Sequence, residues 1–280
     1  MTRDPPAFAE TTIVVPCYNE ARRLDVRAFD DYLGRSEGVS LLLVDDGSTD
    51  DTPRVLEELR ERHSGRISVF RCERNGGKAE AVRRGVLLAL RRRPAFVGYW
   101  DADLATPLAA IEQLRSVLSE RPELSLVMGS RVALLGRQIR RKPTRHYLGR
   151  VFATAASLAL GMVVYDTQCG AKLFRVAPET TALFERPFRA RWVFDVEILA
   201  RMVAASRTST GRHAEELVYE FPLDRWDDVA GSRLKPRDFL VAAVDLAAIY
   251  WRYTRRGANY AMAAAPARRD QPTPTRREAA

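Results

Sequence analysis

Three clusters of polar residues each follow a short apolar run: Pro16-Cys17-Tyr18-Asn19-Glu20, Asp45-Asp46-Gly47-Ser48 and Asp101-Ala102-Asp103. Asp, Asn, Gly and Ser favour ordinary turns, so one such cluster alone says little. Three of them at three strand ends point to a site, because an open α/β sheet receives ligands beyond the carboxyl ends of its strands. Asp101 and Asp103, two apart, can turn two carboxylates toward one hard cation. Mg²⁺ or Mn²⁺ held that way completes its shell with water and substrate phosphates. Such a metal would neutralise charge on a departing nucleoside diphosphate.

A second feature is electrostatic. The 280 residues carry 45 Lys and Arg against 36 Asp and Glu, a net charge of +9, and no acid occurs between Glu123 and Asp166. Arg131, Arg137, Arg140, Arg141, Lys142, Arg145 and Arg150 fall in that gap. A patch of this kind suits a phosphate-bearing ligand, an anionic membrane surface or nucleic acid, or is a solvated basic face. Acids in the first half facing arginines in the second would form a cleft for two anions.

The elements that must position these groups alternate. Strands are predicted at 11–16, 40–44, 67–71, 96–100 and 124–129, and helices at 21–33, from Thr49 or Asp50 through Leu59, at 78–90, and from Thr106 to about 118. Pro53 and Pro107 stand in first turns, where a missing N–H costs nothing. That pattern predicts an α/β fold with a mostly parallel central sheet flanked by helices. The second half is less regular: helices at 145–164, 194–205 and 237–253, a short strand at 171–175 and an edge strand at 217–221. The expected organisation is an N-terminal extension (1–10), a globular domain (11–260) with a break near 130, and a disordered polar tail (261–280).

Composition excludes several classes. Hydrophobic residues make up 46% and charged residues 29%, which is globular. Three scattered cysteines (Cys17, Cys72, Cys169) make no disulfide framework or thiolate zinc site and suit a reducing compartment. His63, His146 and His213 lack metal-ligand spacing, and no Ser–His–Asp set stands out. The first 15 residues hold acids and two prolines before any apolar stretch, so no signal peptide is expected. The longest uncharged apolar run, Val151 to Tyr165, would reach about 22 Å as a helix, short of the ~30 Å hydrocarbon core.

TTIVVPCYNEARRL, LLLVDDGSTDDT, NGGKAEAV and WDADLATP, in this order, resemble the nucleotide-sugar half of a family-2 glycosyltransferase with the Rossmann-like GT-A fold. MGSR, DTQCGAKLF, RWVFDVEIL and the stretch from Trp226 to Pro236 resemble the dolichyl- or polyprenyl-phosphate glucosyltransferases, with mannosyl relatives a step further away. The likeness spans roughly 11–255 and divides the domain into a nucleotide-sugar half (11–130) and an acceptor half (131–260).

The resemblance implies roles. Pro16, Tyr18, Glu20 and Asp46 would hold the uridine, Asp46 at the uracil edge. Gly77 and Lys78 would lie against the nucleotide, and Asp101 and Asp103 would bind Mg²⁺ or Mn²⁺. The mannosyl branch has a metal-binding glutamine after DADL; here it is Ala105, which leaves ligation to the two aspartates and water. Arg131, with Arg145 or a neighbour, would grip the acceptor phosphate, since a guanidinium meets phosphate in bidentate fashion. Asp195 falls where related transferases place a catalytic carboxylate. A phosphate monoester is already ionised and needs no base, so Asp195 is expected to position the sugar or order the acceptor arginines. It would otherwise only cap the helix that follows.

The activity implied is inverting transfer of a hexose, first of all glucose from UDP-glucose, to a polyprenyl or dolichyl phosphate. The alternatives are a hydroxyl acceptor, which would make Asp195 essential, or mannose or another hexose as donor sugar. A nucleic-acid partner has only the basic charge in its favour. Membrane-spanning segments found in some relatives are not seen, so the expected place is the cytoplasm, at the inner membrane face. Arg137 to Arg150 would touch anionic headgroups while Val151, Phe152, Leu158, Leu160 and Met162 dip into the bilayer. The competing reading packs that helix wholly in the core. Tyr250, Trp251 and Tyr253 are either an interfacial belt or a core stripe. Cys169 is expected to be a buried small residue.

Overall fold

The computed structural model describes residues 10–140, 143–207, 212–229 and 236–255. Its centre is a seven-stranded sheet built from β1 (Thr11–Cys17), β2 (Val39–Asp45), β3 (Ile67–Arg71), β4 (Phe96–Trp100), β5 (Leu126–Ser130), β7 (Ala171–Arg175) and β8 (Val218–Pro222), in the order β3-β2-β1-β4-β7-β5-β8. β1, β2, β3 and β4 run parallel, and β8 lies parallel to β5. Only β7 is reversed, and it sits between β4 and β5. The mostly parallel sheet is as expected, and so is the edge position of β8.

The central strands are apolar on both faces because helices cover both. Ile13, Val15, Leu41 and Leu43 face one core, against α1 (Val26–Arg35), α2 (Thr52–Arg62) and α4 (Ala110–Glu120). Val14, Leu42 and Val44 face the other, against α3 (Lys78–Leu90), α5 (Pro143–Leu160), α6 (Pro178–Glu185), α7 (Phe194–Ser206) and α9 (Pro236–Ile249). Alternation by two thus sorts a continuous hydrophobic run onto two layers. β4 and β7 obey the same rule, which places Tyr99 and Lys172 on the α7 side.

Two helix starts move. The first begins at Val26 and not at 21, because the amides of Glu20 and Ala21 are taken by Thr52 Oγ1 while Asp25 caps the helix through Ala28 N. The fourth begins at Ala110, after a tight turn in which Ala110 N and Ile111 N bond Pro107 O and Leu108 O. The N-cap of α2 is Asp51 and neither of the proposed Thr49 and Asp50, although Asp50 Oδ1 accepts from Thr52 N at 2.9 Å. A two-stranded sheet of β6 (Gln138–Arg140) and β9 (Arg225–Asp227) was not expected, nor were α6 and the one-turn α8 (Ala214–Leu217). α9 runs on into a π-helical segment, Tyr250–Arg255.

Candidate active site

The loops after β1 and β2 are tied together. Asn19, in the left-handed region at φ 54°, donates its amide to Ser48 Oγ at 3.0 Å and accepts from Thr49 N at 2.9 Å. Asp46 is buried, and its two oxygens accept from Gly76 N and Gly77 N, each at 2.8 Å. Gly77, at φ 88°, is the N-cap of α3 and adopts a conformation that L side chains resist. That cap delivers Lys78 to the next strand end, where its Nζ lies 2.5 Å from Asp101 Oδ1.

Asp101, Ala102 and Asp103 turn sharply after β4, with Leu104 at φ 51°. A β-carbon in that region is strained, and such strain is typical of places where ligands are held. Burial and the neighbouring Asp101 charge push the Asp103 carboxyl above its usual range. Burial raises Glu20 as well, with Arg23 opposing and Asp103, Asp50 and Asp101 adding to the rise. A place where the charge of one carboxylate raises the pKa of another is one where a cation is favoured. Burial alone would weaken the Lys78 ammonium, but Asp101 and Asp195 outweigh it and hold its pKa above the usual lysine value.

Arg131 and Asp195 complete the site. Arg131, at the end of β5, gives its Nε and Nη2 to Asp166 at 2.6 and 2.7 Å, and its guanidinium lies 5.2 Å from the Trp226 ring centroid. Asp166 also takes Arg131 N at 3.0 Å, so one carboxylate fixes both backbone and side chain. Asp195 is not a cap: α7 begins at Phe194, and Asp195 Oδ1 accepts from Tyr99 Oη and Lys172 Nζ, both at 2.5 Å.

Lys78, Asp101, Asp103, Arg131 and Asp195 line one cavity of about 510 Å³. The expected meeting of strand-end acids with arginine is therefore present, and Arg150, Arg191 and Trp192 join the wall. Pro16, Tyr18, Glu20, Asp46 and Gly77 do not line it; they stand on the adjoining strand-end loops, Tyr18 exposed and Asp46 buried. Arg145 is on α5, but its side chain lies outside the described residues, as do Arg141, Lys142 and 230–235. Sequence reasoning did not single out Tyr99, Asp166, Lys172 or Trp192 as site residues. Asp166 and Lys172 stand inside the DTQCGAKLF motif, which was the available signal.

The segment 151–165 does not pack wholly in the core. Val151 and Leu158 are exposed, whereas Leu160 and Met162 are in the core and Phe152 packs edge-on against Trp192 at 6.3 Å. The belt divides likewise: Tyr250 and Trp251 are exposed, and Tyr253 is buried with its hydroxyl on Glu197 Oε1 at 2.7 Å. Cys169 is fully buried, and burial and Asp166 push its thiol up to about 11. No helix among the described residues is long and apolar enough to cross a membrane.

A strand-end aspartate pair, a glycine–lysine cap beside it and a mixed sheet of this order define a GT-A glycosyltransferase. The chain belongs to glycosyltransferase family 2, whose model, described as "Glycosyl transferase family 2", matches residues 12–180. It is thus a hexose-transferring enzyme. Similar proteins include dolichyl-phosphate β-glucosyltransferases of Trichomonas vaginalis (31% identical, covering 88% of this chain and 73% of that one) and Drosophila melanogaster (33%, 89% and 77%). The human protein of that name is 29% identical over 87% of this chain and 76% of its own. Among solved structures, glucosyl-3-phosphoglycerate synthase of Mycobacterium tuberculosis, crystallised with Mn²⁺, UDP and glucosyl-3-phosphoglycerate, shares the fold. It superposes with a TM-score of 0.61 at 20% identity over 88% of this chain and 80% of that one.

Proposed function

We propose that this enzyme transfers glucose from UDP-glucose to a polyprenyl phosphate. The observation that carries the reading is the placement of Arg131 on the same cavity as Asp101 and Asp103. One side of the cavity suits a nucleoside diphosphate and the other a second phosphate. The dolichyl-phosphate β-glucosyltransferases at about 30% identity support the glucose donor and the lipid acceptor.

The residues at the DxD turn fit a divalent cation. Two carboxylates lie together under mutual repulsion, and Lys78 already places a positive charge on Asp101. Among the described residues no group of three or more His, Cys, Asp or Glu could hold a metal, so two aspartates, water and diphosphate oxygens would make the shell, as Mg²⁺ and Mn²⁺ accept. When bound, the metal supplies positive charge to the leaving diphosphate. Lys78 lies beside the same turn and adds to that charge.

In the reaction, an oxygen of the acceptor phosphate forms a bond to the sugar C1 as the C1–O bond to UDP breaks. The electron pair leaves with UDP, and the configuration inverts to a β-linked product. No proton has to be removed from a phosphate that is already ionised, so Asp195 orients the sugar and does not act as a base. Arg131 holds the acceptor with the guanidinium edge that Asp166 leaves open. Rate comes from positioning and charge neutralisation.

The acceptor is a membrane lipid, so the enzyme works peripherally at the inner, cytoplasmic membrane face. Supporting this, large apolar side chains are exposed on α5, on α9 and on the Tyr250–Arg255 segment, both of which contact α5: Tyr147, Val151, Leu158, Leu240, Val244 and Trp251. Arg150 and Arg255 flank them, and α5 also walls the cavity. The test is transfer from radiolabelled UDP-glucose and GDP-mannose to a short polyprenyl phosphate with Mg²⁺, Mn²⁺ or chelator. A metal-dependent product from UDP-glucose alone is expected. Product only with a hydroxyl acceptor would overturn the lipid reading.

A further inference from the structure

Tyr99 and Lys172 are direct partners across the antiparallel β4–β7 pairing, so their side chains stand together on the α7 face of the sheet. Lys172 is wholly buried, and its ammonium lies 5.4 Å from the Tyr99 ring centroid. Its Nζ donates to Thr167 O at 2.9 Å, Cys169 O at 2.7 Å and Asp195 Oδ1 at 2.5 Å. Those bonds use the three donors that an ammonium has. Tyr99 donates its hydroxyl to the same oxygen of Asp195.

The carbonyls that Lys172 holds belong to the loop between α5 and β7. That loop carries Asp166, which fixes Arg131, and Gly170, whose carbonyl accepts Asp101 N at 3.0 Å. Lys172 itself bonds Thr167 O and Cys169 O, while Asp166 and Gly170 hold Arg131 and Asp101 through bonds of their own. A buried ion pair is seldom worth more to stability than apolar residues of the same size, because both charges lose their hydration. Its return here is geometric. With Oδ1 committed to two donors, Asp195 presents Oδ2 to a ligand in one orientation.

We infer that Lys172, helped by Tyr99, is a positioning residue that aims Asp195 at the donor sugar. The inference rests on the glucosyl-transfer reading, and it concerns the sugar and not the nucleotide. Losing Lys172 should leave UDP binding intact and remove the extra affinity and reactivity that the sugar contributes. Asp195→Asn is milder, since an amide oxygen still accepts from the ammonium and the phenol, whereas Lys172→Met strands a buried carboxylate without its cation.

The experiment compares the full chain with Lys172→Met, titrating UDP and UDP-glucose by calorimetry with Mn²⁺ and measuring transfer to polyprenyl phosphate. Expected are UDP affinity within about threefold of wild type, a UDP-glucose to UDP affinity ratio lowered about tenfold, and kcat lowered about a hundredfold. Adding Asp195→Asn to Lys172→Met removes the stranded charge, so the double variant should be no slower than Lys172→Met alone, because the two residues act as a unit. A lower Tm with the affinity ratio and the kcat of the folded enzyme unchanged would mean a structural role only and would overturn the inference. Should Lys172→Met not fold, Tyr99→Phe keeps the ring packed and removes one donor. It should lower the same ratio about threefold, and an unchanged ratio would again overturn the inference. A wild-type enzyme that binds UDP-glucose but fails on polyprenyl phosphate would refute the acceptor reading, while the affinity ratio would still decide the role of Lys172.

Discussion

Asp101 occupies the space that a side chain on residue 170 would need. A β-carbon built on Gly170 would stand 2.0 Å from Asp101 Oδ2 and 2.1 Å from its Cγ. The two are also joined by the bond from Asp101 N to Gly170 O. The glycine of DTQCGAKLF is thus required by the aspartate of the DxD turn, which links motifs almost seventy positions apart.

Gly170→Ala should therefore act on the DxD turn and not on the core at large. With the proposed metal and diphosphate on Asp101, moving it by even an ångström would cost roughly a hundredfold in rate. The expected outcome is a kcat lowered by about that factor with a raised requirement for Mg²⁺ or Mn²⁺. A metal titration of initial rates would show it, and an alanine variant with wild-type metal response would refute the link.

Asp195→Asn tests whether the acceptor needs a base. For a phosphate acceptor the variant should retain activity within about tenfold, with the pH–rate profile of wild type. For a hydroxyl acceptor the loss should exceed a thousandfold and the acidic limb of the profile should disappear. The measurement is kcat against pH for both enzymes with saturating UDP-glucose.

Arg131 gives a separate test of the proposed acceptor site. Its Nε and Nη2 edge is taken by Asp166 and its face by Trp226, so a lysine there would lose both the fork and the stacking. Arg131→Lys should raise the acceptor KM about tenfold or more and leave the KM for UDP-glucose within about twofold. Equal changes in both constants would mean that Arg131 supports the whole cavity and not one phosphate.

How much of this was legible in the sequence follows from how local each signal is. Asp101 and Asp103 announce themselves, since a DxD at a strand end needs no partner to be noticed. Arg131 stands out because acids are missing around it. Tyr99 and Lys172 could not be read, because their meeting depends on the β4–β7 register, and β7 is the strand that runs against the rest. The start of α1 at Val26 depends on Thr52 and Asp50 capturing the amides near Ala21, a contact some thirty positions away. On α5, apolar residues surround the helix, so periodicity could not tell exposed Leu158 from buried Leu160. β6 and β9 are three residues each and stabilise one another across about ninety positions, too short and too distant for a pattern.

Cys169 sits beside the cavity, yet its chemistry should be silent. With its pKa pushed up to about 11, the thiolate fraction at pH 8 is about one in a thousand, and the sulfur is wholly buried. Cys17 and Cys72 are buried too, and burial raises the pKa of each. The native protein should react with no thiol reagent at pH 8 over an hour, and with all three equivalents once unfolded in guanidinium. Fast modification of the native enzyme at one site would mean that the loop around Cys169 opens in solution.

The outer face of α5 and α9 makes the final prediction. Between Leu240 and Trp251 the only charged residue is Asp245, and Leu240 and Val244 are 72% and 68% exposed. Leaving such a surface in water is costly, at roughly 25 cal/mol for each Å² that a bilayer would otherwise cover. A double change, Val244→Glu with Leu158→Glu, places two charges on the face without touching the cavity. Binding to vesicles containing anionic phosphatidylglycerol should fall at least tenfold, since each buried charge opposes insertion by more than 1 kcal/mol. Transfer to a short acceptor that is soluble in water should stay within about twofold, because the cavity residues are untouched. Vesicle sedimentation paired with that assay separates the two effects. Unchanged sedimentation would refute a membrane contact through this face, and a parallel loss of soluble-acceptor activity would show that the face supports the site itself.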